Sequence, residues 1–179
     1  LHMQPYDIIE HKGFLRNLII RHAFNTNQTM INIVTAFDNK KLLEPVVDKI
    51  KEEISSVKSI VNNITTRKAG VSIGEYEINL YGENYIQEII NGLTFNISAN
   101  SFFQTNTKQT EKLYSIIIKE SNLNKNDIVY DLYCGTGTIG ISMAKHVKFV
   151  YGFEIIESAV HDANINAKLN NINNIIFFK

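Results

Sequence analysis

A short stretch of the chain, residues 129–140, constrains the fold more than any other part of the sequence. It reads as a buried strand that contains Asp131, then a turn, then the first turn of a helix. The turn carries glycine in a G-x-G-x-x-G spacing, at Gly135, Gly137 and Gly140. A second strand is predicted over 148–154 and ends at Glu154. A glycine turn at the end of one strand, with a carboxylate at the tip of the next, indicates a Rossmann-type nucleotide site.

The hydrophobic pattern predicts two zones. Residues 101–179 alternate between helix and strand, which indicates parallel strands with right-handed crossovers; the predicted elements are helix 107–121, strand 127–133, helix 138–146, strand 148–154, helix 157–170 and strand 174–178. Residues 6–100 read as a mixed α/β unit with strands at 14–21, 29–35, 57–65, 76–81, 85–90 and 93–98 and a helix at 42–54. Asn91-Gly92 between the last two strands is a hairpin signal, and Thr107 is the expected N-cap of the helix that follows.

Composition excludes several classes of protein. Lys+Arg and Asp+Glu are equal at 18 each, so nucleic-acid binding would depend on a local basic patch. A single cysteine, Cys134, excludes an internal disulfide and a structural zinc or iron–sulfur cluster built from this chain alone. His11 and His22 lack partners at metal-ligand spacing, so no metal is assigned. We find no signal peptide and no membrane-length apolar run, and expect a cytoplasmic protein.

The identity of the nucleotide depends on the acidic residue before the turn. In a dinucleotide site the helix N-terminus faces a pyrophosphate, which the carboxylate of Asp131 would crowd with like charge. A ligand with a cationic centre and an ammonium group, S-adenosylmethionine (SAM), suits this position better. Glu154 would then accept hydrogen bonds from both hydroxyls of a ribose. The residues favour SAM over NAD, and they leave open a glycine turn that only joins a strand to a helix.

Residues 131–140 closely resemble the glycine motif of the RNA 5-methyluridine (uracil-C5) methyltransferase family, the TrmA/RumA-like enzymes. Upstream, residues 101–114 resemble the Phe-x-Gln-Val-Asn segment of that family, with Thr105 in place of the usual Val. Residues 152–167 resemble its second-strand region, and residues 11–18 are similar to its central domain. The resemblance therefore extends from about residue 6 to the end of the chain.

The resemblance implies a fold and an activity. The fold is a small RNA-facing central α/β domain, 6–100, followed by the N-terminal half of a SAM-dependent methyltransferase domain, 101–179. The activity is SAM-dependent methylation of uracil C5 in RNA. Thr138 stands where many members carry Asn, and a subset similar to the Gram-positive ribosomal RNA enzymes carries Thr. That substitution favours 23S ribosomal RNA over transfer RNA as the substrate.

The resemblance also assigns site residues. It places SAM against Gln104, Asp131, Tyr133, Gly135, Gly137, Thr138 and Glu154. Candidate RNA contacts are Phe102, which would stack on a flipped base, and Arg16 and Arg21 in a local basic patch. Each has a structural alternative: a turn amide for Gln104, core packing for Tyr133 and Phe102, and a solvated surface charge for each arginine.

The chemistry of this family needs residues that this chain lacks. A cysteine thiolate adds to C6 of uracil, C5 of the resulting enolate attacks the SAM methyl group, and a base removes the C5 proton. The family's catalytic cysteine and general-base glutamate lie in later segments, so we expect a fragment of a longer protein with no catalytic residue of its own. Cys134, in the glycine turn, is expected to be a small buried residue rather than the nucleophile.

Two other functions stay open at this stage. The chain can belong to a SAM-dependent methyltransferase that acts on another substrate, or to a noncatalytic RNA-binding module with a vestigial cofactor turn. The predicted strand 127–133 has a neighbour in this chain on one side only. Its other edge is expected to invite self-association.

Overall fold

The computed structural model describes residues 3–68 and 74–179, and the chain divides into two compact units. The first unit comprises the residues up to Ala23 together with Asn27–Ile86, and the second comprises Phe24–Thr26 and Gln87–Lys179. The domain ranges 6–100 and 101–179 stay a prediction, but the compact units divide earlier, at Ile86. The hairpin that precedes residue 101 therefore packs largely with the second unit.

The first unit is a four-stranded sheet with one helix. Its strands follow the order β1-β2-β3-β4, in which β2 and β3 are parallel and the other pairs are antiparallel. The elements are β1 (Leu15–Ala23), β2 (Gln28–Thr35), α1 (Lys40–Glu53), β3 (Val57–Ile64) and β4 (Tyr76–Gly82). Leu43 and Val47 of α1 are buried against Ile31, Ile33 and Ile60 of the sheet, because apolar residues recur along one face of the helix.

The second unit contains a hairpin and a three-stranded parallel sheet, β7-β8-β9. Its elements are β5 (Tyr85–Ile90), whose first two residues belong to the first unit, β6 (Leu93–Ser98), α2 (Thr107–Glu120), β7 (Ile128–Leu132), α3 (Thr138–Ala144), β8 (Phe149–Phe153), α4 (Glu157–Leu169) and β9 (Ile175–Phe178). Asn91 and Gly92 both have positive φ, 48° and 77°, as a two-residue hairpin turn requires. The predicted parallel sheet and hairpin are confirmed.

The start of α2 differs from the prediction. Asn106, not Thr107, is the N-cap, and its side chain accepts a hydrogen bond from the Gln109 N–H. Thr107 instead donates its hydroxyl to the carboxylate of Glu88, 2.6 Å away. Glu88 is buried on β5 and also accepts from the backbone N–H groups of Phe24 and Asn25. These bonds tie Phe24 and Asn25 to the rest of the second unit.

One edge and one face of the parallel sheet are exposed. Among the described residues, β7 pairs with β8 alone, and Ile128, Tyr130 and Leu132 on β7 are 48%, 63% and 64% exposed. The Tyr130 ring stacks on Tyr151 at 5.5 Å, which continues an aromatic surface onto β8. A strand edge with unpaired backbone groups beside apolar side chains is a template for pairing with another chain.

The 179-residue chain is therefore expected to self-associate through β7. Sedimentation velocity over a concentration series would show a rising weight-average mass, and the double variant Tyr130→Lys, Leu132→Lys should abolish that rise because charges protect strand edges. A monodisperse monomer at every concentration would contradict the prediction.

Across residues 3–68 and 74–179, every helix is too short or too polar to traverse a lipid bilayer.

Candidate functional site

The turn that joins β7 to α3 lies at the carboxyl end of the parallel sheet. Three of its residues, Tyr133, Gly135 and Gly137, have left-handed φ angles of 61°, 53° and 78°. Glycine adopts this conformation freely, but Tyr133 does so at a steric cost. The side chain of Tyr133 is 89% exposed, so core packing does not account for its place in the turn.

Glu154 anchors the turn from the end of the neighbouring strand. One carboxylate oxygen accepts from the Gly135 N–H at 3.0 Å, and the other accepts from the Ile156 N–H at 2.9 Å. Two charge-assisted bonds fix the carboxylate plane. Each oxygen retains a lone pair for a further donor, such as a hydroxyl.

A cleft of about 360 Å³ opens beside Glu154. Its walls are formed by Leu132, Tyr133, Phe153, Glu154, Ile155 and Lys179. The cleft therefore combines apolar and aromatic walls with one fixed carboxylate and with Lys179, whose amine pairs with Glu157 at 2.8 Å, at the position where open α/β sheets bind ligands.

The glycines of the motif serve different purposes. A Cβ on Gly135 would meet nothing within 4 Å. A Cβ on Gly137 would lie 2.7 Å from the Phe177 ring, and one on Gly140 would lie 2.9 Å from the carboxylate of Asp131. Gly137 and Gly140 therefore let α3 pack closely on the sheet, whereas Gly135 supplies only a backbone conformation.

Asp131 and Thr138, both predicted to contact the ligand, are already bonded within the protein. Asp131 accepts from the Gly140 N–H at 2.9 Å and so ties β7 to α3. Burial raises the pKa of this carboxyl, and the bond from Gly140 partly opposes that rise. The Thr138 hydroxyl shares a 2.7 Å hydrogen bond with the hydroxyl of Tyr114 on α2.

Tyr114 and Asn166 are site residues that the sequence reasoning missed. Tyr114 is 3% exposed and holds Thr138. Asn166 on α4 is fully buried, and its amide donates to the carbonyl oxygen of Thr136 in the turn. Both lie in segments that were singled out by resemblance, but their partners are 24 and 30 residues away in sequence. Local patterns do not reveal such pairs.

The remaining predicted residues lie outside the turn. Gln104 is exposed in the segment between β6 and α2, as is Phe102, at 76%. In the first unit, the guanidinium of Arg16 lies 4.1 Å from the centre of the Tyr6 ring and donates to the Thr65 carbonyl. Arg21 is half-buried, and burial lowers the pKa of its guanidinium.

Cys134 has the environment of a packing residue. It is 8% exposed within the apolar core of the second unit, and its Sγ lies 3.1 Å from where a Cβ on Gly152 would be. Burial, followed by the nearby carboxylates of Asp131 and Glu154, raises the pKa of the thiol to about 12. A thiol that stays protonated at neutral pH is a poor nucleophile.

Cys134 should therefore resist alkylation in the folded chain. At pH 8.5 the native thiol should react with iodoacetamide roughly a hundredfold more slowly than in urea, since the thiolate is the reactive form. The alkylation rate reports on Cys134 alone because the chain has one cysteine. Equal rates in the folded and unfolded chains would show that Cys134 is an accessible, activated thiol.

Comparison with known proteins matches the chain to RNA methyltransferases. The tRNA (uracil-5-)-methyltransferase family matches residues 22–179. An uncharacterised RNA methyltransferase of Chlorobaculum tepidum is 44% identical over 99% of the chain and 37% of its own length. Another, from Clostridium acetobutylicum, is 43% identical over 98% of the chain and 38% of its own length. The chain thus spans well under half the length of these curated relatives.

Among solved structures, the chain is similar to the Pyrococcus abyssi tRNA (uracil-54, C5)-methyltransferase in complex with S-adenosyl-L-homocysteine. The TM-score is 0.77 at 29% sequence identity, over 97% of this chain and 41% of the other.

Proposed function

Because the chain belongs to the tRNA (uracil-5-)-methyltransferase family, we propose that the natural protein that contains it, called the full-length protein below, transfers a methyl group from SAM to C5 of uracil in RNA. The observation that carries the proposal is the cleft at the tips of β7 and β8. There a fixed carboxylate, Glu154, and a glycine turn stand beside apolar and aromatic walls. This arrangement suits an adenosine whose ribose hydroxyls donate to a carboxylate.

The residues of the cleft fit SAM. Glu154 would accept from the ribose hydroxyls, and the apolar walls formed by Leu132, Phe153 and Ile155 would take the adenine. Tyr133, held in a left-handed conformation, would lie along the cofactor, and Gly135 leaves space at the turn. When bound, SAM supplies an electrophilic methyl group.

Other predicted cofactor residues have narrower roles in this proposal. Asp131 and Gly137 act mainly by shaping the turn, because Asp131 is bonded to Gly140 and Gly137 packs on Phe177. Thr138 is held by Tyr114 and would contact the cofactor through its remaining hydrogen-bonding capacity. Gln104 would reach SAM from the exposed segment before α2.

The covalent steps would fall to residues outside this chain. A cysteine thiolate would form a bond to C6 of uracil. The electron pair of the C5–C6 double bond would shift and give an enolate that is nucleophilic at C5. C5 would then bond to the methyl group as the S–CH3 bond of SAM breaks and S-adenosyl-L-homocysteine leaves. A base would remove the C5 proton, and the C5–C6 double bond would re-form as the thiolate leaves. The raised thiol pKa and the buried position of Cys134 support this division of roles.

RNA contacts are proposed on both units. In the first unit a cleft of about 340 Å³ is lined by Tyr6, His11, Lys12, Gly13, Arg16, Ala36, Phe37 and Thr66. Cationic and aromatic side chains in one cleft suit the phosphates and bases of single-stranded RNA. Arg16 lies in this cleft, whereas half-buried Arg21 is less open to a phosphate. In the second unit, exposed Phe102 would stack on a base.

Thr138 favours 23S ribosomal RNA as the substrate, by resemblance alone. The matching family and the Pyrococcus abyssi enzyme are both named for tRNA. The cytoplasmic location stays a prediction.

A methylation assay tests the proposed function. The full-length protein is incubated with SAM labelled in the methyl group and with transcripts of 23S ribosomal RNA or of transfer RNA, and the digested nucleosides are separated. We expect label in 5-methyluridine, from the ribosomal transcript. Label in another nucleoside would favour a methyltransferase with a different substrate, and RNA binding without SAM binding would favour a noncatalytic module.

A further inference from the structure

The peptide between Thr136 and Gly137 lies at the centre of the turn, with Gly135 on the other side of Thr136. Glycine permits many backbone conformations, so steric restraint alone does not set the direction of the Thr136 carbonyl. Two hydrogen bonds hold this peptide: the Gly137 N–H donates to the Cys134 carbonyl at 2.9 Å, and the Thr136 carbonyl accepts from the Asn166 amide at 3.2 Å. Thr136 is 3% exposed, so water is a poor substitute for the second bond.

Asn166 also holds a second segment of the site. Its amide oxygen accepts from the Asn96 N–H on β6 at 2.8 Å. From β6 the chain runs directly into the segment that carries Phe102 and Gln104. One buried side chain thus bonds both to the glycine turn, through its amide nitrogen, and to the strand that leads to Gln104, through its amide oxygen.

Asn166 is the middle member of a polar row on α4. Asp162 and Asn166 on α4 and Asn170 at its C-cap are spaced four residues apart, so they lie on one face. The Asp162 carboxylate accepts from the Ser98 hydroxyl at 2.7 Å, and the Asn170 amide oxygen accepts from the Thr94 N–H at 2.8 Å. The row accepts hydrogen bonds from β6, including two from its backbone N–H groups that a neighbouring strand could otherwise take. Of these three residues, Asn166 bonds to the turn.

We propose that Asn166 is a positioning residue of the cofactor site, which holds the Thr136 carbonyl and β6 in register so that the glycine turn and the Gln104 segment face the same ligand. The inference rests on the proposed function, because it takes SAM as that ligand. It goes further in assigning to α4 a role that neither the motif nor the cleft reveals.

The isosteric variant Asn166→Asp tests the inference. A carboxylate keeps an acceptor for the Asn96 N–H but turns an oxygen toward the Thr136 carbonyl, which it repels. The matched control is Asn170→Asp. The Asn170 amide donates to the backbone carbonyls of Thr94 at 2.6 Å and of Asn166 at 2.8 Å, so its replacement repels carbonyls on the same row but none in the turn.

Both variants are made in the full-length protein, and S-adenosyl-L-homocysteine is titrated by calorimetry beside thermal melts. We expect Asn166→Asp to weaken binding at least about tenfold, the effect of losing one buried hydrogen bond. We expect Asn170→Asp to keep the wild-type affinity even where it lowers Tm by a similar amount. In methyl-transfer assays the KM for SAM should rise while the KM for RNA stays constant.

Asn166→Ser provides a second variant if the buried carboxylate prevents folding, since serine is neutral and too short to bridge both partners. Wild-type affinity in the Asn166 variants, or equal losses in the Asn166 and Asn170 variants, would overturn the inference alone. Failure of the wild-type protein to bind S-adenosyl-L-homocysteine would overturn the proposed function and this inference with it.

Discussion

Replacing Glu154 by alanine in the full-length protein is expected to weaken SAM binding by about 1.5–3 kcal/mol, the range for charge-assisted hydrogen bonds. This loss corresponds to roughly a tenfold to 150-fold higher Kd. The variant removes the proposed acceptor for the ribose hydroxyls and releases the backbone N–H groups of Gly135 and Ile156. Isothermal titration with SAM measures the effect directly.

The matched control for this change is Glu120→Ala. Glu120 ends α2, is exposed, and lies 3.9 Å from the amine of Lys119, so its replacement removes the same charge outside the cleft. The affinity of Glu120→Ala for SAM should equal that of the wild type. If Glu154→Ala also bound SAM normally, the ribose assignment would be wrong.

Replacing Gly137 by alanine is expected to destabilise the fold by about 2–5 kcal/mol. A left-handed φ costs an L-residue about 1–2 kcal/mol, and overpacking adds about 1–3 kcal/mol. Overpacking arises here because the new methyl group would lie 2.7 Å from the Phe177 ring and 3.1 Å from Ala163 Cβ. Urea denaturation of the 179-residue chain would show the loss.

Gly135→Ala is the internal comparison for that experiment. Gly135 has a similar φ, 53°, but open space where its Cβ would be. The Gly135→Ala variant should lose only the free energy of unfolding that the left-handed φ costs, about 1–2 kcal/mol. Equal losses at the two positions would contradict the claim that Gly137 is required for packing on Phe177.

The sequence predicts most of the fold because each element has a strong local pattern. Alternating apolar residues define β5 and β6, and the Asn91-Gly92 pair fixes their turn. The β-α-β-α-β alternation in turn predicts the parallel sheet β7-β8-β9. Helix ends are less certain: two adjacent residues, Asn106 and Thr107, can each cap α2, and the distant carboxylate of Glu88 engages Thr107.

The candidate site is less predictable than the fold. The motif predicts where Glu154 and the glycine turn meet, because the ends of adjacent parallel strands lie side by side. It does not predict that Asp131 is bonded to Gly140, or that Tyr114 and Asn166 hold the turn. Those bonds depend on how α2 and α4 pack against the sheet, which no local spacing encodes.

The central claim is that the cleft at the tips of β7 and β8 binds SAM, with Glu154 on the ribose. A crystal structure of the full-length protein with S-adenosyl-L-homocysteine tests it most directly. We predict the nucleoside between Leu132, Phe153 and Ile155, with the ribose hydroxyls about 2.5–3.0 Å from the Glu154 carboxylate, the usual range for O–H···O bonds. A nucleoside bound elsewhere, or a ribose out of reach of Glu154, would contradict the account.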